Sequence, residues 1–428
     1  MKITMFTNTY LPHVGGVARS VKTLEDACRR RGHQVRVIAP EFDGAEDSPD
    51  VLRVPAIQHF NGSDFCVRLP FSHLIRDSRE SFRSDLIHSH HPFLLGDTAL
   101  RESWKLEVPI VFTHHTLYER YTHYVPLDSP PLKRAVIHLA TDYCNLCDQV
   151  IAPSASIAEL LRKRGVETDI EVIPTGIDAE AFGAGVGDRF RDRKGIPRDA
   201  RVIGHVGRLA EEKNLLFLAE AVAGVLGSEP DTVFLLVGEG NARDKVLEIL
   251  RQRAEPRQIC LDGRLTGSDL ADAYAAMDCF AFASQSETQG LVLAEAMAAG
   301  TPVVALDGPG VREIVKNGEN GIMLPGDATA LEFAEVLRRL MGDPARRREW
   351  AVAAQTTAES FSADRCTERM LACYERLVAR KRHPLEVDAQ PWEMLLRGLE
   401  IEWDLISAKA GAAAAAMGET PAEDSRLD

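Results

Sequence analysis

The stretch SQSETQGLVLAEAMAAGTPVVA, Ser284–Ala305, places a glycine at the start of an apolar helix pattern and a β-rich run after it. The predicted helix begins after Gln289 with Gly290, Leu291 and Val292. The first backbone N–H groups of a helix have no partner within it, so they form a site for an anion. Gly290 has no Cβ, which lets a phosphate approach the backbone closely. The stretch therefore predicts a helix whose start can bind phosphate.

Two glutamates, eight positions apart, flank this helix start. Glu295 lies about five residues into the helix, roughly 7.5 Å along its axis, or about one sugar ring beyond a bound diphosphate. Its carboxylate could accept hydrogen bonds from ribose hydroxyls, while Glu287 would face the transferred sugar. The spacing indicates a nucleotide-sugar site, but by itself it fits equally well a capping acid followed by a solvated helix glutamate.

Strand and helix patterns alternate on both sides of this stretch, which indicates parallel sheets covered on both faces. Around Pro174–Phe190 glycines accumulate and the periodicity is lost, so we expect an interdomain linker there. The sequence therefore predicts two doubly wound α/β domains in series, with ligands at the carboxyl ends of strands. The predicted strands are KITMFTN, HQVRVIAP, SDLIHSH, VPIVFTH, DQVIAPS and IEVIP, then RVIGHVG, TVFLLVG, QICLDG, CFAFAS, PVVAL and GIMLP.

Length and composition exclude several classes of protein. A chain of 428 residues with 45% hydrophobic and 27% charged residues is typical of a soluble globular protein of two domains. The net charge of -14 argues against a general nucleic-acid binder, which would need a basic face. The start MKITMFTN is too short an apolar run for a signal peptide, and no apolar run predicts a membrane span. We therefore expect a cytoplasmic protein.

Two cations lie at the end of another predicted strand. GHVGRLAEEKN places Arg208 at the strand end and Lys213 five residues later, at the start of a helix. Arginine can bind a diphosphate bidentately and lysine adds a compact charge, so the pair suits a diphosphate leaving group. The alternative is a surface salt bridge of Lys213 with Glu211 or Glu212.

Taken together, these motifs resemble a known family. Glu287 and Glu295 spell an E-x7-E signature, and GGV, GRLxxEKN, VGEG and EAMAAGTPVVA accompany it. With them the chain resembles glycosyltransferase family four over roughly residues 1–382. The resemblance implies the GT-B fold, an α/β fold of two Rossmann-like, doubly wound domains facing a central cleft. It also implies transfer of a sugar with retention of the anomeric configuration.

The resemblance also divides the chain into domains. It implies an acceptor-side domain at residues 1–178, completed by a crossover helix at about 362–382. A nucleotide-sugar-binding domain would occupy residues 190–361. Residues 383–428 exceed the usual family length; their apolar spacing predicts an extra helix, and the polar tail after it is expected to be disordered.

The resemblance implies that Arg208 and Lys213 bind the donor diphosphate and that Gly16 lies near the phosphate. Gly290 and Leu291, predicted from the helix start described above, complete the set of diphosphate-binding residues. With Arg and Lys supplying the positive charge, we expect no divalent ion, and the chain contains no DxD motif.

The resemblance assigns the nucleoside and the transferred sugar to other residues. Glu295 would bind the ribose, and Arg264 and Leu265 would lie near the base. Glu287 and His115 would be catalytic, with His115, directly before Thr116, holding the transferred sugar from the N-terminal domain.

The run IHSHHP raises the question of a metal site. His88 and His90 alternate on a predicted strand, so both rings would point the same way, and His91 follows them. The family commonly has such a stretch without a metal. We therefore expect no metal and no cofactor.

The acceptor side rests on FTHHTLYERYTHYVP, which looks like a stretch of bacterial diacylglycerol and related lipid glucosyltransferases. Tyr118, Tyr121 and Tyr124 could pack against an acceptor, although aromatic residues in such a loop pack locally as well. Nearby cations could form a membrane-facing patch, and each of them alone also fits a solvated helix face. These cations are Arg76, Arg79, Arg83, Lys133 and Arg134.

We accordingly expect a retaining, metal-independent hexosyltransferase that uses a nucleotide-sugar, with UDP as the expected nucleotide. The expected acceptor is a membrane lipid such as diacylglycerol or a glycolipid, reached by peripheral contact at the inner face of the membrane. One alternative is the same chemistry on a soluble or polysaccharide acceptor. Another is a noncatalytic nucleotide-sugar binding protein. No nucleic acid is expected as a partner.

Overall fold

The computed structural model describes residues 1–381 except 14, 47, 58–66, 69–80 and 120–128, and the extra helix expected within 383–428 lies outside the described residues. The described chain forms two compact units. The first contains Met1–Pro174 and the described residues from Cys366 onward, and the second contains Thr175–Arg365. Each unit is built on one parallel sheet covered by helices, so the predicted α/β fold with two Rossmann-like, doubly wound domains is confirmed.

The described strands of the first unit are β1 (Lys2–Phe6), β2 (Gln34–Pro40), β3 (Val51–Val54), β4 (Ala56–Ile57), β5 (Val67–Arg68), β6 (Leu86–Ser89), β7 (Ile110–Thr113), β8 (Gln149–Ala152) and β9 (Ile170–Val172). Seven of them form a parallel sheet in the order β3-β2-β1-β6-β7-β8-β9. β4 and β5 form a separate antiparallel pair. The order changes direction between β1 and β6, and ligands of such sheets bind beyond the carboxyl ends of the strands at this point.

Helices cover both faces of this sheet. They are α1 (Gly16–Arg30), α2 (Leu95–Leu106), α3 (Pro130–Asn145), α4 (Ala155–Lys163) and, from the far end of the chain, α13 (Ala363–Lys381). α3 and α4 begin where the side chains of Ser129 and Ser154 accept hydrogen bonds from backbone N–H groups of the first turn. One apolar cluster contains α13 residues such as Met370 and Tyr374 together with Ile3 of β1, so this helix completes the core of the first unit.

The second unit has six parallel strands: β10 (Arg201–Val206), β11 (Thr232–Val237), β12 (Ile259–Asp262), β13 (Cys279–Phe282), β14 (Val303–Leu306) and β15 (Gly321–Leu324). Their order is β12-β11-β10-β13-β14-β15, and every pair is parallel. All four residues of β13 are buried, as expected for a strand covered on both faces. The order changes direction between β10 and β13, and the loops after these two strands contain the predicted site residues Arg208, Lys213, Glu287 and Gly290.

The helices of the second unit are α5 (Ala179–Gly183), α6 (Gly187–Lys194), α7 (Leu215–Leu226), α8 (Arg243–Arg251), α9 (Gly267–Ala275), α10 (Leu291–Ala298), α11 (Ala330–Met341) and α12 (Pro344–Glu359). Two apolar clusters, one on each face of the sheet, are made of residues from this unit alone. The unit therefore contains its whole described core within one continuous stretch of chain.

The boundary between the two units falls at Pro174, at the start of the linker expected around Pro174–Phe190, and the rest of that stretch is part of the second unit. Residues of this stretch form α5 and the start of α6, and Phe190 is completely buried in the core. A Cβ on Gly185 or Gly187 would lie 2.3 or 2.2 Å from a backbone carbonyl oxygen of α9. The glycines that we interpreted as a sign of a loose linker are there because two backbones pack closely.

Candidate functional site

Two loops meet at the carboxyl ends of β10 and β13, where the strand order of the second unit changes direction. The first runs from Gly207 to Asn214 and the second from Ala283 to Gly290. The hydroxyl of Ser286 donates to the carbonyl oxygen of Glu212 at 3.0 Å, and the side-chain amide of Asn214 donates to that of Ala283 at 3.3 Å. Sequence analysis did not single out these two polar residues, although both lie inside motifs that it quoted.

The cations predicted to bind a diphosphate both lie on the first of these loops, and each pairs with a carboxylate. Arg208 forms an ion pair with Glu212, and Lys213 forms one with Glu287. The side chains of Lys213 and Glu287 are only 17% and 19% exposed, so this pair is mostly shielded from water. The salt bridge considered as the alternative therefore exists with a different partner. Lys213 pairs with a predicted catalytic acid and not with Glu211 or Glu212.

The VGEG loop, Val237–Gly240 at the end of β11, supports the first loop. Gly238 and Gly240 have φ angles of +140° and +151°, which are accessible mainly to glycine. A Cβ at these positions would lie 1.9 Å from the carbonyl oxygen of Gly207 and 2.2 Å from that of Leu209. The backbone N–H of Leu209 also donates to the carbonyl of Glu239 at 2.8 Å. The loop after β11 thus supports the arginine-bearing loop by direct backbone contact.

The predicted phosphate-binding helix start is formed by α10, with one correction. Gly290 is the N-cap, with a left-handed φ of +77°, and Leu291 is the first helical residue. A Cβ on Gly290 would lie 2.9 Å from the side chain of Leu293. Glycine is required here by the backbone conformation.

Glu295 is on the first turns of this helix and is buried, with 4% of its surface exposed. Its Oε2 accepts a hydrogen bond of 2.8 Å from the hydroxyl of Tyr274, on α9. The alternative of a solvated helix glutamate is therefore wrong. Tyr274 was not among the predicted site residues, because its only sequence signal was its place among the apolar residues of α9.

A buried histidine lies beneath the same loops. His205 of β10 stacks on Phe280 and Phe282 of β13 at ring-centroid distances of 5.8 and 6.2 Å. Its Nδ1 is 3.0 Å from the carbonyl of Ala281, so Nδ1 carries the proton. The pKa of His205 falls to about 4, mainly because the ring is buried, and the positive charge of Lys213 acts in the same direction. The ring is therefore neutral and adds no positive charge to the site.

Arg264 and Leu265, predicted to lie near the base, follow β12 at the edge of the sheet. The side chain of Arg264 is exposed, whereas Leu265 packs against the core of the unit. A Cβ on the preceding Gly263 would lie 3.1 Å from the carboxylate of Glu239, which places this loop beside the VGEG loop.

In the first unit, Gly16 and the histidines occupy the corresponding strand ends. Gly16 opens α1, and a Cβ there would meet no atom within 4 Å. The backbone N–H of Asn8, just after β1, donates to Nδ1 of His91 at 3.0 Å. His90 Nδ1 is 2.9 Å from His115 Nε2, so the predicted catalytic histidine is hydrogen-bonded to a histidine beyond β6.

Burial keeps these histidines neutral; His88 and His91 are buried, and His115 is partly buried. Burial lowers the pKa of His88 and His91 to about 3 and that of His115 well below its ordinary value, and neighbouring histidines lower the last further. Both ring nitrogens of His88 are within hydrogen-bond distance of protein hydroxyls, Tyr374 at 2.5 Å and Thr113 at 2.7 Å. Among the described residues, no group of three or more His, Cys, Asp or Glu side chains is arranged to hold a metal ion.

On the predicted acceptor side, Tyr118 packs edge-to-face on Phe93 and His114, at ring-centroid distances of 5.3 and 5.6 Å. This is the local packing considered as the alternative. Tyr121 and Tyr124 lie outside the described residues, as do Arg76 and Arg79. The remaining cations of the predicted patch are the exposed Arg83 and the partly exposed Lys133 and Arg134.

Two family models match the chain. Glycosyltransferase Family 4 matches residues 14–181, and Glycosyl transferases group 1 matches residues 187–357. An alpha-monoglucosyldiacylglycerol synthase of Streptococcus pneumoniae is 30% identical over 336 residues, which cover 76% of each chain. A GDP-mannose-dependent alpha-mannosyltransferase of Mycobacterium tuberculosis is 27% identical over 388 residues, covering 89% of this chain and 98% of the relative.

Solved structures share the fold. HepE of Anabaena, crystallised in complex with UDP and glucose, superposes with a TM-score of 0.71 and 21% identity, covering 88% of this chain and all of that one. At this identity the likeness concerns the fold alone. It agrees with the two α/β units described above, each of which is built on a parallel sheet.

Proposed function

Because the chain belongs to glycosyltransferase family 4 and is a glycosyltransferase, we propose that it moves a hexose from a UDP-sugar to a membrane lipid with retention of configuration. The observation that carries the proposal is the ion pair of Lys213 with Glu287 at the strand-order change of the second unit. It brings together a cation suited to a leaving diphosphate and an acid suited to the hydroxyls of the transferred sugar.

The cations stabilise the leaving group. A nucleoside diphosphate gains negative charge as the bond to the anomeric carbon breaks, and fixed positive charges in a shielded site stabilise that charge strongly. In the structure these positive charges are balanced by Glu212 and Glu287. The diphosphate competes with these carboxylates when it binds, and Glu287 then becomes available to the sugar.

Retention of configuration sets the remaining demands. The phosphate leaves from the face that the acceptor hydroxyl enters, so the hydroxyl proton can pass to the departing phosphate oxygen. No strong base is needed. The site must orient the sugar, and it must not place another positive charge beside the anomeric carbon, where positive charge develops. Glu287 is the proposed orienting acid. His115, which burial keeps neutral, is the proposed second contact with the sugar.

The rest of the donor is assigned to neighbouring residues of the second unit. Glu295 is proposed to bind the ribose, with Arg264 and Leu265 near the base. The start of α10 at Gly290 and Leu291 is proposed to lie near the phosphates, as is Gly16 of the first unit. Neither a metal nor another cofactor is part of the proposal, so transfer should be insensitive to EDTA.

The proposed acceptor is diacylglycerol or a glycolipid. It is supported by the name of the streptococcal relative, alpha-monoglucosyldiacylglycerol synthase, and by the sequence FTHHTLYERYTHYVP. No helix among the described residues has the length and apolar character needed to cross a bilayer. The proposed contact with the lipid acceptor is peripheral. A second candidate is transfer of mannose from GDP-mannose, supported by the mycobacterial relative that matches 89% of this chain.

The test is a matrix of donors and acceptors. UDP-glucose, UDP-galactose and GDP-mannose are each incubated with vesicles containing diacylglycerol or monoglucosyldiacylglycerol, and with soluble saccharides. We expect transfer from a UDP-hexose to lipid, with an α-configured product from an α-configured donor by NMR. Transfer only from GDP-mannose, or only to soluble acceptors, would establish an alternative. A product of inverted configuration would contradict the proposed mechanism.

A further inference from the structure

Tyr274 is buried beside the acid proposed to bind the ribose. It lies in the last turn of α9, none of its surface is exposed, and its hydroxyl is 2.8 Å from Oε2 of Glu295. We propose that Tyr274 is a positioning residue for ribose recognition, because it holds the Glu295 carboxylate in the orientation that accepts the ribose hydroxyls. The inference rests on the proposed function, and specifically on Glu295 as the ribose ligand.

The tyrosine ring is itself fixed by its neighbours. Phe182 packs edge-to-face on it at 5.7 Å between ring centroids, and Phe280 packs on it at 5.8 Å. The backbone of the same turn is anchored by Thr301, whose hydroxyl donates to the carbonyl oxygen of Tyr274 at 2.9 Å. Because these contacts hold the ring in place, its hydroxyl is a hydrogen-bond donor at a fixed position.

The carboxylate of Glu295 needs such a donor to fix its orientation. The terminal torsion of a glutamate is broad, so the plane of an unrestrained carboxylate turns freely. Two ribose hydroxyls are bound well only if the carboxylate plane is already aligned with them. A donor on one oxygen fixes that plane, and a carboxylate with about four acceptor positions retains capacity for further hydrogen bonds. The bond from Tyr274 thus leaves the acid able to accept from a ligand.

Packing alone explains a ring at this position but not its hydroxyl. A phenylalanine would fill the same apolar space, and a buried hydroxyl carries a desolvation cost unless it is hydrogen-bonded. Here the hydroxyl donates to a charged acceptor, which makes a stronger bond than one between neutral groups. A structural role and a positioning role differ in what they affect: the first changes stability, and the second changes the preference for ribose over deoxyribose.

The experiment compares Tyr274→Phe with the wild type in full-length protein. Calorimetry measures the affinity for UDP and dUDP, and for GDP and dGDP, and the pair that the wild type binds is used. We expect the variant to lose about tenfold in affinity for the ribonucleotide and less for the deoxyribonucleotide, which offers the carboxylate only one of the two hydroxyls. The KM for the donor should rise accordingly, with kcat nearly unchanged. Glu295→Ala should abolish the preference for ribose.

Tyr143→Phe is the matched control. Tyr143 is also buried, and its hydroxyl is 2.8 Å from that of Ser89 in the first unit, so the same atom is removed elsewhere. This control should leave the ratio of the two affinities unchanged. An unchanged ratio in Tyr274→Phe, or equal weakening of both nucleotides, would overturn the inference while the effect of Glu295→Ala keeps the ribose assignment. If Glu295→Ala also left the ratio unchanged, the ribose assignment of the proposed function would fail together with the inference.

Discussion

Lys213 and Glu287 are 74 positions apart in the chain, yet they form one ion pair at the meeting point of two strand ends. Sequence analysis gave each residue a role from its own motif. It could not predict their contact, because the contact depends on β10 and β13 being neighbours in the sheet. The same holds for Tyr274 and Glu295, whose hydrogen bond depends on how α9 packs against α10. Motifs in the sequence indicate which residues matter, and the fold determines which of them touch.

Lys213→Ala should lower the rate of sugar transfer by about 10²- to 10³-fold, the usual effect of removing one positioned electrostatic group from a shielded site. Initial rates at saturating donor would measure it. Lys245→Ala is the matched control, because Lys245 pairs with Glu211 on the exposed surface and its side chain is 63% exposed. A folded Lys213→Ala protein with the turnover of the Lys245 control would remove Lys213 from the mechanism.

Glu287→Ala should abolish transfer without weakening the binding of free nucleoside diphosphate. The substitution removes the carboxylate that competes for Lys213, so affinity for the diphosphate should stay equal or increase. Glu295→Ala should do the converse and weaken nucleotide binding through the lost ribose contact. Calorimetry and initial rates on both variants provide the comparison. Reduced diphosphate affinity in Glu287→Ala would show that this acid binds the nucleotide and not the sugar.

The buried histidines predict how stability changes with pH. Burial lowers the pKa of His91 to about 3 in the folded protein, from 6.5 for the unperturbed group. Between these values the unfolded chain binds the extra proton, so the free energy of unfolding falls as the pH drops below about 6.5. Protonation at Nδ1 would also break the hydrogen bond from the backbone N–H of Asn8.

His91→Asn keeps an acceptor near the Nδ1 position and removes the titrating group. It should reduce the slope of unfolding free energy against pH by up to about 1.4 kcal/mol per pH unit between pH 6 and pH 4. Urea denaturation of the variant and the wild type across this range measures the difference. Identical slopes for His91→Asn and the wild type would mean that His91 is not buried in its neutral form.

At the scale of elements, most strands could be predicted from their apolar runs, because a strand covered by helices on both faces consists almost entirely of apolar residues. β3, only four residues long and mostly half-buried, gave no such run and was missed. The linker expected at Pro174–Phe190 begins at the boundary between the units, but the stretch from Thr175 onward belongs to the second unit. Glycine is favoured in flexible segments and also where two backbones pack too closely for a Cβ. Glycines in the sequence therefore do not distinguish these two situations.

Gly187 provides a test of the packed interpretation. Its Cβ in Gly187→Ala would lie 2.2 Å from the carbonyl oxygen of Ala275, so α6 or α9 must shift, at a cost of about 1–3 kcal/mol. Gly224→Ala is the control in the same unit. Its Cβ would lie 3.6 Å from that of Ala334, an ordinary contact, and alanine inside a helix stabilises by up to about 1 kcal/mol. Denaturant unfolding of both variants should therefore give changes of opposite sign. Equal stability of Gly187→Ala and the wild type would favour the loose linker.

At the scale of the whole molecule, the two units differ in how their cores relate to the chain. Both apolar clusters of the second unit are built from residues between Ile177 and Phe361. The ends of this unit are also joined, since the backbone N–H of Ile177 donates to Phe361 and that of Ala363 donates to Ile177, both at 2.8 Å. The first unit instead depends on α13, which supplies Met370, Leu371, Cys373, Tyr374, Leu377 and Val378 to its core.

We therefore expect the fragment Thr175–Arg365 to fold alone and the fragment Met1–Pro174 not to fold. Each large apolar side chain buried from α13 contributes about 1.5–3 kcal/mol. Losing several of them removes about as much free energy as the whole free energy of unfolding of a typical domain, about 5–15 kcal/mol. The second fragment loses no such group, and it retains Arg208, Lys213 and Glu295. It should unfold cooperatively in urea and bind the nucleoside diphosphate within about tenfold of the full chain. A cooperatively folded Met1–Pro174 would show that α13 is dispensable to the first core, and a folded Thr175–Arg365 that failed to bind would place essential nucleotide contacts outside the second unit.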